Sequence, residues 1–159
     1  MKETPVIGVV GAGQMGRGIA QVAAQSGCEV HLMDTSEAQV AKALGAIDKD
    51  LGRLVAKEKL DAENYARITG RIKGTSSLRE LETCEYVIEA VTETLEVKLE
   101  IFREMDAVLS PGAILASNTS SISLTKLAGA TRRPERVVGM HFMNPVPLMK
   151  LVEIVRALQ

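Results

Sequence analysis

Cysteine is scarce in this chain. Cys28 and Cys84 are the whole supply, and they stand in neither a metal-ligand spacing nor a redox motif. That excludes a disulfide framework and a cysteine-built metal site. They read as buried free thiols of a reducing compartment, so a cytoplasmic location is expected. Long apolar runs are missing too: no window approaches the roughly eighteen uncharged apolar residues that a membrane-spanning helix needs. Met1–Pro5 leads straight into the first apolar run, which leaves no room for a signal peptide. Neither sign of charge dominates. Lys and Arg number 19 and Asp and Glu 20, for a net charge of −1, so no general attraction to nucleic acid or to a membrane surface is expected. Histidine occurs only as His31 and His141, which narrows any imidazole chemistry to two positions. There is no repeat and no low-complexity segment. What remains is 159 residues, 46% hydrophobic and 25% charged, which suits one domain large enough to bury a real core.

The stretch that organises the chain is Val6–Asp34. Val6-Ile7-Gly8-Val9-Val10 is the β-branched run of a strand buried on both faces. Gly11-Ala12-Gly13-Gln14-Met15-Gly16 follows at once, a G-x-G-x-x-G set between strand and helix. Gly11 permits the tight turn, Gly13 lets backbone approach a pyrophosphate, and Gly16 lets helix and strand pack closely. An Ala-rich helix is expected over Arg17–Ser26, stopped by Gly27, with its N-terminal N–H groups presented to phosphates. A second strand, Glu29–Asp34, ends in a carboxylate placed 18 residues after Gly16, where such folds hold the 2′-hydroxyl of an adenosine ribose. Thr35 and Ser36 follow it, with no Arg for a 2′-phosphate, so the expected cofactor is NAD rather than NADP.

Downstream, Ser36 with Gln39 predicts a capping box. Val40, Leu44, Ile47, Leu51 and Leu54 form the apolar stripe of a long helix. Its polar face carries Lys42, Lys49 and Arg53, with Lys57 and Lys59 near its end. That face is either plainly solvated or a landing place for a phosphorylated substrate. Further strands are expected at Arg67–Lys73, Tyr86–Val91, Ala113–Ala116, Val137–Phe142 and Leu151–Val155, and helices at Leu95–Leu109 and around Leu124–Ala128. Asn144-Pro145-Val146-Pro147 is expected to be extended. Strands alternating with helices predict an α/β fold, a Rossmann-type doubly wound and mostly parallel sheet. Its ligand lies across the carboxyl ends of the strands. The expected pocket therefore gathers Gly11–Gly16, Asp34, Glu93, Asn118–Ser121 and His141.

Hydride exchange with a nicotinamide needs a partner that moves a proton, and histidine suits this. His31 lies inside a strand and reads as structural. His141 ends a strand, with Glu153 twelve residues on, across a Pro-rich turn that could fold the two strands together. A Glu accepting from one ring nitrogen would fix the tautomer and stabilise the imidazolium.

Ser117-Asn118-Thr119-Ser120-Ser121 and the block from Gly139 to Glu153, with its His141-Phe142-Met143-Asn144-Pro145-Val146-Pro147 core, join the glycine loop in a pattern that resembles the 3-hydroxyacyl-CoA dehydrogenase family over essentially the whole chain, and within it the bacterial short-chain branch. The resemblance implies hydride transfer between NAD and C3 of a 3-hydroxyacyl-CoA or 3-oxoacyl-CoA. It implies that His141 and Glu153 do the acid–base work, and that Ser120 bonds the substrate 3-oxygen and lies near the cofactor. Glu93 and Lys98 are implied to contact NAD, Asn144 to lie near the nicotinamide and substrate, and Lys57 to lie near the CoA phosphates. In that family a helical second domain follows, completes the acyl pocket, supplies a further catalytic Asn and makes a homodimer. Residues 1–159 are then expected to be the dinucleotide-binding domain alone, weakly active or inactive by itself, with apolar surface that drives self-association.

Two competing readings stand beside this one. A β-hydroxyacid dehydrogenase acting on a free acid would use a catalytic lysine and lack the His-Phe-x-Asn-Pro block. A nucleotide-binding protein without turnover shares the fold, and the joint presence of Ser120, His141 and Glu153 speaks against it.

Overall fold

A computed structural model describes residues 4–157. Seven strands make one sheet. In chain order they are β1 (Val6–Val10), β2 (Glu29–Met33), β3 (Ile72–Thr75), β4 (Tyr86–Glu89), β5 (Ile114–Ser117), β6 (Val137–Phe142) and β7 (Val152–Arg156). Their order across the sheet is β3-β2-β1-β4-β5-β6-β7. Neighbours from β3 to β6 are parallel, and β7 runs antiparallel to β6. The order reverses between β1 and β4, which opens a crevice at the carboxyl ends of those strands.

The helices are α1 (Gln14–Gln25), α2 (Glu37–Ala56), α3 (Ala62–Gly70), α4 (Leu95–Val108) and α5 (Leu124–Gly129). Consecutive strand side chains point to opposite faces, and the core is accordingly double. Val9, Val30 and Leu32 face Ile19, Ile47, Leu51 and Ile68 of α1–α3. Val10, Val87 and Leu115 face Phe102, Met105 and Leu127 of α4 and α5. Burying one such side chain is worth about 1.5–3 kcal/mol, and both clusters are continuous under the sheet, which holds the strand ends in a fixed rim.

Four expectations need correction. The helix after the glycines starts at Gln14 rather than Arg17, with Gly13 as its cap, so Gln14, Met15 and Gly16 are its first turn. Arg67–Gly70 is not strand but the end of α3. Asp61 caps that helix by accepting from Asn64 N at 2.8 Å, and Tyr65 and Ile68 turn inward one helical turn apart. The strand begins only at Ile72. The capping box at α2 is half formed: Ser36 Oγ accepts from Gln39 N, but the Gln39 side chain donates to Ala12 O at 3.0 Å instead, and Ser36 N is taken by Asp34. The Asn144–Pro147 segment is not extended throughout. Its Asn144–Pro145 peptide is cis, and Pro145 O accepts from Leu148 N and Met149 N. Tertiary contact directs this turn, since it lays buried Val146 against α1 at Gly18, where a Cβ would stand 2.8 Å from Val146 Cβ.

Candidate active site on the carboxyl rim of the sheet

The glycine turn is held from three sides. Gly11 has φ +103°, donates to Met33 O at 2.8 Å, and leaves no space for a Cβ, which would lie 2.7 Å from Ala90 O. A Cβ on Gly16 would lie 1.7 Å from Gly11 O, so helix and turn touch backbone to backbone. Gly13 is the opposite case, with nothing within 4 Å of its would-be Cβ. Two glycines therefore serve packing and one faces open space, as a cradle for a diphosphate requires.

Asp34, just past the end of β2, braces this turn. Its Oδ2 accepts from Ala12 N and its Oδ1 from Ser36 N, each at 3.0 Å. An ionised carboxylate has about four acceptor positions, so capacity remains for a ribose hydroxyl. Beside it a cavity of about 300 Å³ is lined by Gly11, Asp34, Thr35, Leu78, Val91 and Ile101, mostly apolar walls suited to a flat heterocycle. Arg17 and Lys42 flank Gly13 and Gln14 on the α1–α2 side. They form no carboxylate ion pair among the described residues, so the turn carries unspent positive charge.

Beyond the crevice, a second cavity of about 310 Å³ contains Ser120, His141 and Glu153. β6 and β7 place His141 directly opposite Glu153 in antiparallel register, and His141 Nδ1 lies 3.2 Å from Glu153 Oε2. An ionised carboxylate only accepts, so in that pairing a neutral ring would donate from Nδ1 and turn an unprotonated Nε2 away from Glu153. The loop after β5 is tied to the same strand, with Phe142 N donating to Asn118 Oδ1 at 2.8 Å. Asn144 joins the two halves of the rim, since its Oδ1 accepts from Gln14 Nε2 at 3.3 Å.

Under the rim lies a network in which Glu89, which the pattern of residues did not single out, joins Lys98 and Glu93. Glu89 is 0% and Lys98 1% exposed. Lys98 Nζ donates to Glu89 Oε1 at 2.5 Å, and Glu89 Oε2 accepts from Ser117 Oγ at 2.6 Å. Lys98 also lies 3.5 Å from Glu93. Glu93 accepts from Thr119 Oγ1 and Ser121 Oγ. Partial burial pushes the Glu93 carboxyl up, but those two hydroxyls and the Lys98 charge outweigh it and hold the group below the usual carboxylate range. The signal for Glu89 was a carboxylate inside the apolar run Tyr86–Val91, because a charge in a doubly buried strand must have a partner.

Of the residues singled out from sequence, Gly11, Ala12, Gly13, Gln14, Met15, Gly16, Asp34, Glu93, Ser120, His141, Asn144 and Glu153 all lie along this rim. Two do not open on it. Lys98 is buried beneath Glu93, its ammonium enclosed by Glu89, Glu93 and Val91 O. Lys57 is the C-terminal cap of α2, roughly 30 Å of helix away from Ser36. His31 Nδ1 lies 2.8 Å from Glu80 O, consistent with a structural part. Cys28 and Cys84 are buried and free. Burial raises both thiols, that of Cys84 to about 11, which leaves them inert as nucleophiles.

A family model described as "3-hydroxyacyl-CoA dehydrogenase, NAD binding domain" matches residues 6–159. The chain belongs to this family. Among curated relatives in the dehydrogenase family, it is similar to a 3-hydroxybutyryl-CoA dehydrogenase of Bradyrhizobium diazoefficiens. The identity is 50% over 152 residues, which covers 96% of this chain and 52% of the relative. A 3-hydroxyadipyl-CoA dehydrogenase of Escherichia coli is 42% identical over 99% of this chain and 33% of its own length. Among solved structures, (S)-3-hydroxybutyryl-CoA dehydrogenase PaaH1 from Ralstonia eutropha superimposes with a TM-score of 0.95 at 47% identity, covering 98% of this chain and 55% of that one. The chain thus spans about half the length of the Bradyrhizobium and Ralstonia proteins and a third of the Escherichia one. No helix among the described residues is long and apolar enough to cross a membrane.

Proposed function

We propose that this domain holds NAD along the rim from Asp34 past the glycine turn, and serves hydride transfer at C3 of a short-chain 3-hydroxyacyl-CoA or 3-oxoacyl-CoA. The fit to the cofactor rests on Gly13 facing open space, on Gly11 and Gly16 packed without room for a Cβ, and on Asp34 beside the turn. When bound, the nicotinamide supplies the hydride acceptor or donor. The protein's own residues do the rest. His141 Nε2 takes the 3-hydroxyl proton in oxidation and returns it in reduction. Glu153 keeps the proton on Nδ1 and stabilises the imidazolium. Ser120 bonds the 3-oxygen from the facing loop. The observation that carries this reading is the cross-strand His141–Glu153 pair sharing one cavity with Ser120. The short acyl chain is supported by the names of the bacterial relatives.

A second reading, cofactor binding without turnover by these residues alone, is favoured by one observation. Leu148, Leu151, Ile154 and Val155 are 76%, 59%, 60% and 47% exposed, so the rim is open to water beside Glu153. A homodimer is proposed on the same ground, as such apolar strips are covered in assemblies.

The test is NADH oxidation with acetoacetyl-CoA and, separately, with free acetoacetate, together with NADH binding by fluorescence. Turnover with the thioester alone supports the proposal. Turnover with the free acid overturns the substrate class. NADH binding without any turnover supports the second reading, and absence of NADH binding overturns both.

A further inference from the structure

We propose that Glu93, backed by the buried Glu89–Lys98 pair, is the residue that positions Ser120. This rests on the reading that Ser120 meets the substrate 3-oxygen. One oxygen of Glu93, Oε2, accepts from Thr119 Oγ1 at 2.8 Å and from Ser121 Oγ at 3.0 Å. These are the two chain neighbours of Ser120, so a single atom clamps both sides of the serine. Ser120 itself is exposed and lines the cavity with His141.

The clamp is anchored from below. Glu93 Oε1 lies 3.5 Å from Lys98 Nζ, which is fixed by Glu89 Oε1 and by Val91 O. Glu89 also accepts from Val91 N at 2.8 Å and from Ser117 Oγ at 2.6 Å. Ser117 Oγ in turn accepts from Thr119 N at 3.2 Å. The loop is therefore held at alternate residues, 117, 119 and 121, and the ties all trace back to carboxylates at the end of β4. A buried ion pair is an inefficient source of stability, because desolvation offsets most of its Coulomb gain. What it supplies is direction: Lys98 orients Glu93, and Glu93 orients the loop. Glu93 is 43% exposed on the same rim.

The test is a double-mutant cycle between Ser121→Ala and Ser120→Ala, read as kcat/KM with acetoacetyl-CoA and as the NADH dissociation constant. Ser121→Ala removes one arm of the clamp and leaves the Glu93, Lys98 and Ser120 side chains themselves in place. It is expected to lower kcat/KM about fivefold, the effect of one hydrogen bond, and to change NADH affinity less than twofold. In the Ser120→Ala background the same change is expected to be silent, because nothing is left to position. Glu93→Ala is expected to lose about 30-fold or more, and Glu93→Gln, whose amide oxygen still accepts from both hydroxyls, to recover part of that loss. An equal loss on both backgrounds, or unchanged kcat/KM in Ser121→Ala, overturns the positioning role while leaving the proposed reaction intact. Absence of turnover by the unmodified protein overturns the reaction, and the positioning role with it.

Discussion

Glu153→Gln separates the chemistry of the site from its architecture. The exchange is nearly isosteric and sits on β7, where residue 153 faces His141 across the sheet. The pair is 3.2 Å apart with side chains 27% and 53% exposed, so water screens it, and its loss is expected to lower stability by less than about 1 kcal/mol. That corresponds to a melting shift of no more than about 4 °C for a domain of this size. The effect on rate is of another order. A carboxylate accepts only, so it holds the proton on Nδ1 and leaves Nε2 basic. The amide that replaces it can donate to Nδ1, which moves the proton to Nε2 and removes the base from the substrate's side. The expected fall in kcat for oxidation of 3-hydroxybutyryl-CoA by NAD is about 10²- to 10⁴-fold, the range of a lost general base, with NADH affinity within twofold. Ring-nitrogen NMR of His141 reads the tautomer directly and does not depend on turnover. Activity within threefold of the parent, or a ring that keeps its Nδ1 proton, would refute the argument.

Asp34→Ala removes the acceptor for Ala12 N and for a ribose hydroxyl, each worth about 1.5–3 kcal/mol as a charged hydrogen bond. NADH is expected to bind at least tenfold more weakly while NADPH binding holds or improves; parallel losses of the two in a fluorescence titration would argue against the ribose role. Asp106 is buried and accepts from Arg132 N, Arg132 Nε and Arg133 Nε. Burial pushes its carboxyl up, but these donors and the Arg133 charge outweigh that and lower it. Its contribution is therefore fully present above the unfolded carboxylate range near about pH 4 and is lost as pH falls through the lower folded value. Asp106→Asn is expected to lower stability by about 3 kcal/mol at neutral pH and to flatten the acid limb of a urea-midpoint against pH plot; an unchanged limb would contradict the assignment. Gly16→Ala is expected to abolish tight NADH binding, given the 1.7 Å approach to Gly11 O. Gly45→Ala, in open space on α2, is expected to raise stability by up to about 1 kcal/mol; urea unfolding and NADH titration of the two variants check both.

The parts of the fold that could be read from the residues are those fixed by local pattern. Val6–Val10, the glycines and Asp34 carry strand, turn and acid in one short stretch, and the run His141 to Glu153 holds two strands and the turn between them. What the pattern did not give was decided by contacts distant in sequence. Arg67–Gly70 reads as strand when taken locally because the Asp61 cap that starts its helix lies six residues before Arg67. The turn at Pro145 depends on the space that Gly18 leaves on α1. Glu89 could be noticed as a charge in an apolar run, but its link through Lys98 to Glu93 requires β4, α4 and the loop after β5 to meet.

The two ends of the rim are not equally durable. The glycine turn lies between strands that each have neighbours on both sides, whereas Glu153 hangs on β7, which is paired only with β6 and is largely exposed. Edge segments of this kind open locally at far lower free energy than a sheet centre does. Under mild denaturant or warming, the domain is expected to give up its grip on the proton well before it gives up its grip on the dinucleotide. Amide exchange along β7 would show that order of failure.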